Sequence, residues 1–132
     1  MAKATEATIE NISADILRFI ENYSGESRAK RVGIFGSVSR REENPRDIDI
    51  VAEYDYTGRV DVGDYRDFCA FCGALQDAFA TLYQMDVDVA DGESLLDRRY
   101  NIVADDVGKE VVWIYESGET RKDSIDEDLV LL

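Results

Sequence analysis

Two aspartates, Asp47 and Asp49, flank Ile48 in the run Asp47-Ile48-Asp49-Ile50-Val51-Ala52. Side chains alternate across an extended strand, so both carboxylates project from one face while Ile48 and Ile50 point to the other. Neighbouring carboxylates repel, and a fold tolerates them where a cation neutralises the pair. Hard oxygen donors of this kind suit magnesium, which binds through one or two carboxylates and keeps positions for substrate phosphates. Upstream, the apolar stretch Val32 to Phe35 runs into Gly36-Ser37, a corner that can offer backbone N–H groups and a hydroxyl to phosphate. Together these features point to a metal-dependent enzyme acting on a nucleoside triphosphate. Phosphoryl-group chemistry commonly uses two metal ions, which need more than two carboxylates. In Met85-Asp86-Val87-Asp88-Val89, a further strand by its alternation, Asp86 and Asp88 share a face. If that strand neighbours the first acidic one, either aspartate completes a triad.

The elements that must position these groups follow from periodicity. Ile9, Ile12, Ile16, Phe19 and Ile20 predict an amphipathic helix over Thr5–Asn22, ended by Ser24-Gly25. A basic link (Arg28, Lys30, Arg31) leads to a strand over Val32–Phe35. Ser37 is expected to cap a short helix reaching towards Glu42, and the only proline, Pro45, closes the loop before the Asp47–Glu53 strand. Tyr54–Val62, with Thr57-Gly58, reads as a loop whose Tyr54 and Tyr56 are ordinary aromatics more than nucleotide-pocket walls. Tyr65, Phe68, Phe71, Cys72, Leu75, Phe79 and Leu82 recur at helical spacing over Asp64–Leu82. Cys69 and Cys72 form a C-x-x-C inside that helix. A redox pair belongs at a helix N-terminus, so these read as small buried hydrophobes and not as a redox or zinc motif.

Ser94 is expected to cap a helix containing Leu95, Leu96, Tyr100 and Val103, and Val111–Tyr115 forms the last strand, with Trp113 and Tyr115 core or half-buried. Four alternations of helix and strand predict a small α/β (α+β) fold, a mixed sheet with helices packed on it. It should occupy residues 1–116 as one domain, leaving a charged tail, 117–132, whose Leu129-Val130-Leu131-Leu132 end suits docking on its own domain or on a partner subunit.

Composition excludes several classes. The chain has 29 acidic and 15 basic residues, a net charge of −14, so nucleic acid and anionic membranes should repel it. It has no histidine, which removes Ser-His-Asp and Cys-His catalysis and histidine zinc sites. The start, MAKATEATIEN, lacks a signal-peptide core, and no run reaches membrane-spanning length, so a cytoplasmic location is expected.

Gly36-Ser37, Asp47-Ile48-Asp49 and the later Val87-Asp88-Val89 resemble, in order and spacing, the DNA polymerase β-like nucleotidyltransferase superfamily. More narrowly, the chain resembles the minimal nucleotidyltransferases, the MntA-type antitoxins paired with HEPN-domain toxins, over about Val32 to Tyr115. The resemblance implies the polymerase β-like fold, with Asp47, Asp49 and Asp88 as catalytic ligands of two magnesium ions. It assigns nucleotide contacts to Gly36, Ser37 and Arg40, the last matching the arginine of the family's GSxAR segment. It implies AMP transfer from ATP to a tyrosine hydroxyl of a HEPN toxin partner. The sequence departs from the pattern at Arg41, where glycine is common, and the Ser37–Asp47 spacing is one residue short, so a different loop geometry is expected there. Two other readings follow: an antitoxin that is weakly active or inactive and neutralises its partner by binding, and a small-molecule nucleotidyltransferase. The chain leaves little length for the acceptor domain that the last would need.

Overall fold

Alternation along the acidic strand separates two faces of the molecule. In the computed structural model, which describes residues 5–56 and 62–117, this strand is β2 (Asp47–Tyr54), and Ile48, Ile50, Ala52 and Tyr54 enter one buried cluster. Asp47, Asp49, Val51 and Glu53 therefore stand on the other face. β1 (Ala29–Phe35) pairs with β2 antiparallel, setting Ile34 opposite Ile50 and Phe35 opposite Asp49. β3 (Asp86–Asp91) pairs with β2 in parallel, and β4 (Val112–Glu116) lies antiparallel to β1. The order is β3-β2-β1-β4, a mixed sheet as expected.

The apolar face is covered by α1 (Ile9–Asn22) and α3 (Val62–Tyr83). Ile9, Ile12 and Ile16 of α1 meet Phe68, Phe71, Leu75, Phe79 and Tyr83 of α3 over Val32, Ile34, Ile48, Ile50 and Val87. The Tyr83 hydroxyl donates to Asp15 Oδ2 at 2.6 Å, joining the end of α3 to the middle of α1. A parallel β2–β3 step needs a long crossover, and α3 provides it. On the second face α4 (Gly92–Leu96) lies close to β2, where a Cβ on Gly92 would strike the Glu53 side chain and sit 3.4 Å from the Ala52 carbonyl. Among the described residues no helix is long and apolar enough to cross a membrane.

Several expectations need correction. α1 begins at Ile9 and not at Thr5, because the Thr8 hydroxyl accepts the Asn11 N–H and so caps the helix. β1 starts earlier than expected, at Ala29. Tyr54 is the last residue of β2 and not loop; it is buried and stacks edge-on against Tyr56 and Tyr65. The helical stripe of α3 keeps Phe68, Phe71, Leu75 and Phe79, but Tyr65 and Leu82 fall off its buried side and are exposed. Cys69 is exposed for the same reason, whereas Cys72 is half-buried against the core, its thiol pushed up to about 12 chiefly by burial. Such a thiol is inert, so the structural reading holds for Cys72 alone.

The helix expected from Ser94 is two helices. Asp91 caps α4 by accepting the Glu93 N–H, and the chain turns extended at Asp97. Asp97 then accepts the Arg99 N–H, and Asn101 Nδ2 donates to the Leu95 carbonyl at 2.7 Å. Short polar side chains bonding to nearby backbone compete with helix propagation. Tyr100 and Val103 are consequently exposed, and α5 runs over Ala104–Glu110. Thr57-Gly58 and the tail beyond Ser117, including Leu129–Leu132, lie outside the described residues.

Phe71 is fully buried, with its ring 5.8 Å from Phe19 and 5.1 Å from Tyr23. Phe71→Ala should lower unfolding free energy by about 3–5 kcal/mol, measured by urea denaturation. Cys69→Ser should stay within about 0.5 kcal/mol of the parent; equal losses would contradict this assignment of the α3 faces.

Candidate metal and phosphate site

The strand register brings the acidic residues together. Asp49 is level with Asp88 across the parallel β2–β3 pair, and Asp47 is level with Asp86. Paired residues of adjacent strands point to the same side, so Asp47, Asp49 and Asp88 share the face opposite the core. Asp49 is half-buried between two exposed neighbours, Asp47 and Asp88. Its carboxyl is pushed up to about 6, first by burial, then by the charges of Asp47 and Asp88, while Arg40 opposes the shift and Glu110 adds to it. Asp86, level with Asp47 and one step farther from Asp49, also lines a groove with Pro45, Arg46 and Gln84.

Gly36 closes the site from above Asp49. Its φ is 73°, in the left-handed region that favours glycine, and a Cβ there would overlap Asp49 Oδ2. β1 ends at this corner and α2 (Gly36–Ser39) starts on it. Ser37 does not cap α2: the cap position is Phe35, which makes no side-chain bond, and the Arg40 N–H closes the turn on the Gly36 carbonyl at 3.1 Å. The Ser37 hydroxyl is buried and, among the described residues, has no hydrogen-bond partner. Leaving a buried hydroxyl unsatisfied costs about 1–3 kcal/mol, and a phosphate oxygen would remove that cost.

Arg40 is placed beside the trio, with its guanidinium divided between two glutamates. Nε donates to Glu42 at 2.6 Å, and Nη1 donates to Glu110 at 3.0 Å. Glu110 also accepts the Gly36 N–H at 2.9 Å. Reasoning from sequence missed Glu110, since one more acid in so acidic a chain carries no signal. Arg41 has φ 57°, so the backbone makes the left-handed turn that glycine commonly serves in the family, and its side chain pairs with Glu10 of α1 at 2.7 Å.

Oxygen donors of Asp47, Asp49 and Asp88, the raised carboxyl of Asp49 and the orphaned Ser37 hydroxyl fit a hard cation with phosphate. The carboxylates share a face without closing into a cage: among the described residues no group of three or more acidic or sulfur side chains is disposed to hold a metal ion as it stands. Tyr54 and Tyr56 do line a cavity, of about 480 Å³, with Lys30, Glu53, Gly92 and Glu93. It lies at the far end of β2 from Asp47, so it is not part of this site.

No protein-family model and no curated protein matches the chain. Solved structures do. A mutant of the toxin–antitoxin MntA-HpeT aligns at TM-score 0.51 and 15% identity, covering 89% of this chain and 88% of that one. A toxin–antitoxin solved with AMP-PNP aligns at TM-score 0.53 and 16% identity, with the same coverage of 89% and 88%. Likeness at such identities is likeness of fold, and it bears out the fold implied by the sequence resemblance.

The acidic cluster makes stability depend on pH. An unfolded aspartate titrates near about 3.9, whereas Asp49 in the fold titrates at about 6. Its contribution to stability is thus complete below the unfolded value and is lost as pH rises through the folded one. In a chelating buffer, Asp49→Asn should melt higher than the parent at neutral pH, and the difference should shrink as pH falls from about 7 to 4. A difference in melting temperature that stays constant across that range would contradict the crowding of Asp49.

Proposed function

We propose that this chain is a nucleotidyltransferase antitoxin that moves AMP from ATP to a tyrosine hydroxyl of a HEPN-domain toxin, and so silences it. The observation that carries the reading is the meeting of Asp47, Asp49 and Asp88 on one sheet face under the Gly36 corner, with Arg40 beside them. The fold likeness to a toxin–antitoxin structure solved with AMP-PNP supports the nucleotide, and the likeness to MntA-HpeT supports the toxin partner.

Asp47, Asp49 and Asp88 would hold magnesium, two ions in this reading, which when bound neutralises phosphate charge and eases deprotonation of the attacking hydroxyl. Gly36 has no side chain and so lets the Asp49 carboxylate lie directly under the corner whose backbone N–H this reading gives to phosphate. The Ser37 hydroxyl donates to a phosphate oxygen, and Arg40 balances part of the charge. The acceptor tyrosine, with an unperturbed pKa of about 10, gives its proton to one of the three carboxylates. Its oxygen bonds to the α-phosphorus, the bond to the α–β bridging oxygen breaks, and pyrophosphate leaves with the electron pair. Neutralisation by binding alone is the competing reading, prompted by Arg41. The left-handed turn kept at that residue favours the catalytic one.

With labelled ATP, magnesium and the HEPN-domain protein encoded beside it, label should appear on a tyrosine of the partner. Asp47→Asn and Asp49→Asn should each slow transfer by about 100-fold or more, the scale on which a lost charge-stabilising group acts. Chelation of magnesium should stop it. Undiminished labelling in both variants would overturn the assignment, and full protection of toxin-producing cells by either variant would favour masking.

A further inference from the structure

Glu110 is remote from the acidic trio in sequence, yet it holds the two groups that the nucleotide reading gives to phosphate. One carboxylate oxygen accepts the Gly36 N–H at 2.9 Å and Arg40 Nη1 at 3.2 Å, and the other accepts Arg40 Nη1 at 3.0 Å. The side chain is 27% exposed, so this is a partly desolvated contact. An amide has a single N–H, so Gly36 cannot serve Glu110 and a phosphate oxygen well at the same time. Arg40 is divided already, because Nε is held by Glu42 at 2.6 Å.

Nothing in α5 calls for an acid here. Glu110 is the last residue of the helix, and the following N–H, that of Val111, bonds to the Val107 carbonyl without it. Negative charge at a helix C-terminus is disfavoured by the backbone dipoles. The placement also adds a third like charge, beside Asp47 and Asp88, in the surroundings of Asp49. Among the described residues, the Gly36 and Arg40 contacts offset both penalties.

We propose that Glu110 sets nucleotide affinity: its carboxylate occupies the anion seat made by the Gly36 N–H and the Arg40 guanidinium, and an incoming phosphate must displace it. The inference rests on the nucleotide reading above. Phosphate carries more charge and brings its own cation, so it wins the seat when nucleotide is abundant, and Glu110 then swings towards solvent. Glu110 is thus a built-in competitor that raises the concentration of nucleotide needed to load the protein.

The test is titration calorimetry of AMP-PNP with magnesium on the parent, Glu110→Gln and Glu110→Ala, with adenosine as the phosphate-free probe. A charge-assisted contact of this exposure should cost a competing ligand about one decade in Kd. Both variants should therefore bind AMP-PNP about tenfold tighter, with adenosine binding unchanged. Binding by the variants with none detectable in the parent would support the proposal as well. Glutamine preserves the shape of the side chain, so it decides the matter if the alanine variant melts below the working temperature. Equal or weaker AMP-PNP binding than a parent that binds would overturn the inference and make Glu110 a scaffold for Arg40. Failure of AMP-PNP to bind the parent and both variants would remove the nucleotide reading itself, and this inference with it.

Discussion

The parallel pairing of β2 with β3 forces like charges together, and the rest of the molecule makes that pairing affordable. Asp49 and Asp88 are level across the ladder, and their face cannot be changed without exposing Ile48, Ile50 and Val87 on the other. Burying each of those side chains is worth roughly 1.5–3 kcal/mol. Repulsion between two water-exposed carboxylates about 4 Å apart is about 1 kcal/mol. The core wins, so the acidic face is a consequence of the apolar one. Asp49 is half-buried between a strand neighbour and the Gly36 corner, and there burial first, with the Asp47 and Asp88 charges adding to it, pushes its carboxyl up to about 6.

Around that acidic face several arginines are already engaged. Arg40 is shared by Glu42 and Glu110, Arg41 pairs with Glu10, and farther along the same face Arg31 bonds Glu53 at 2.5 Å while lying 3.8 Å over the Trp113 ring. In a chain of net charge −14 these arginines each find an acid close by. In the proposed function, a phosphate ligand would therefore take cationic help from existing partners or bring it as a metal. This explains why Glu110, invisible as a motif, matters to the chemistry of the corner.

Much of the fold was legible because β2 and α3 have strong periods. Ile48 and Ile50 alternate with Asp47 and Asp49, and Phe68, Phe71, Leu75 and Phe79 keep one buried stripe along the 22-residue α3. The failures have physical causes. Tyr65, Cys69 and Leu82 are apolar residues that the stripe passes by, since one face of a helix is narrower than the set of apolar positions along it. The region 94–110 was misread because Asp97 and Asn101 bond to backbone and end α4, a choice that local propensity does not reveal.

The sequence by itself determined that Asp47 and Asp49 share a face, that a glycine–serine corner follows a strand, and that histidine chemistry is absent. These are properties of alternation, local turns and composition, all of which act within a few residues. Only the tertiary structure decided that Asp88, and not Asp86, is the partner level with Asp49, and that Gly36 must lack a side chain because Asp49 presses against it. The same holds for Glu110, which reaches Gly36 and Arg40 from the end of α5. Such contacts depend on strand register and on helices packed from distant parts of the chain, and no short-range pattern records them.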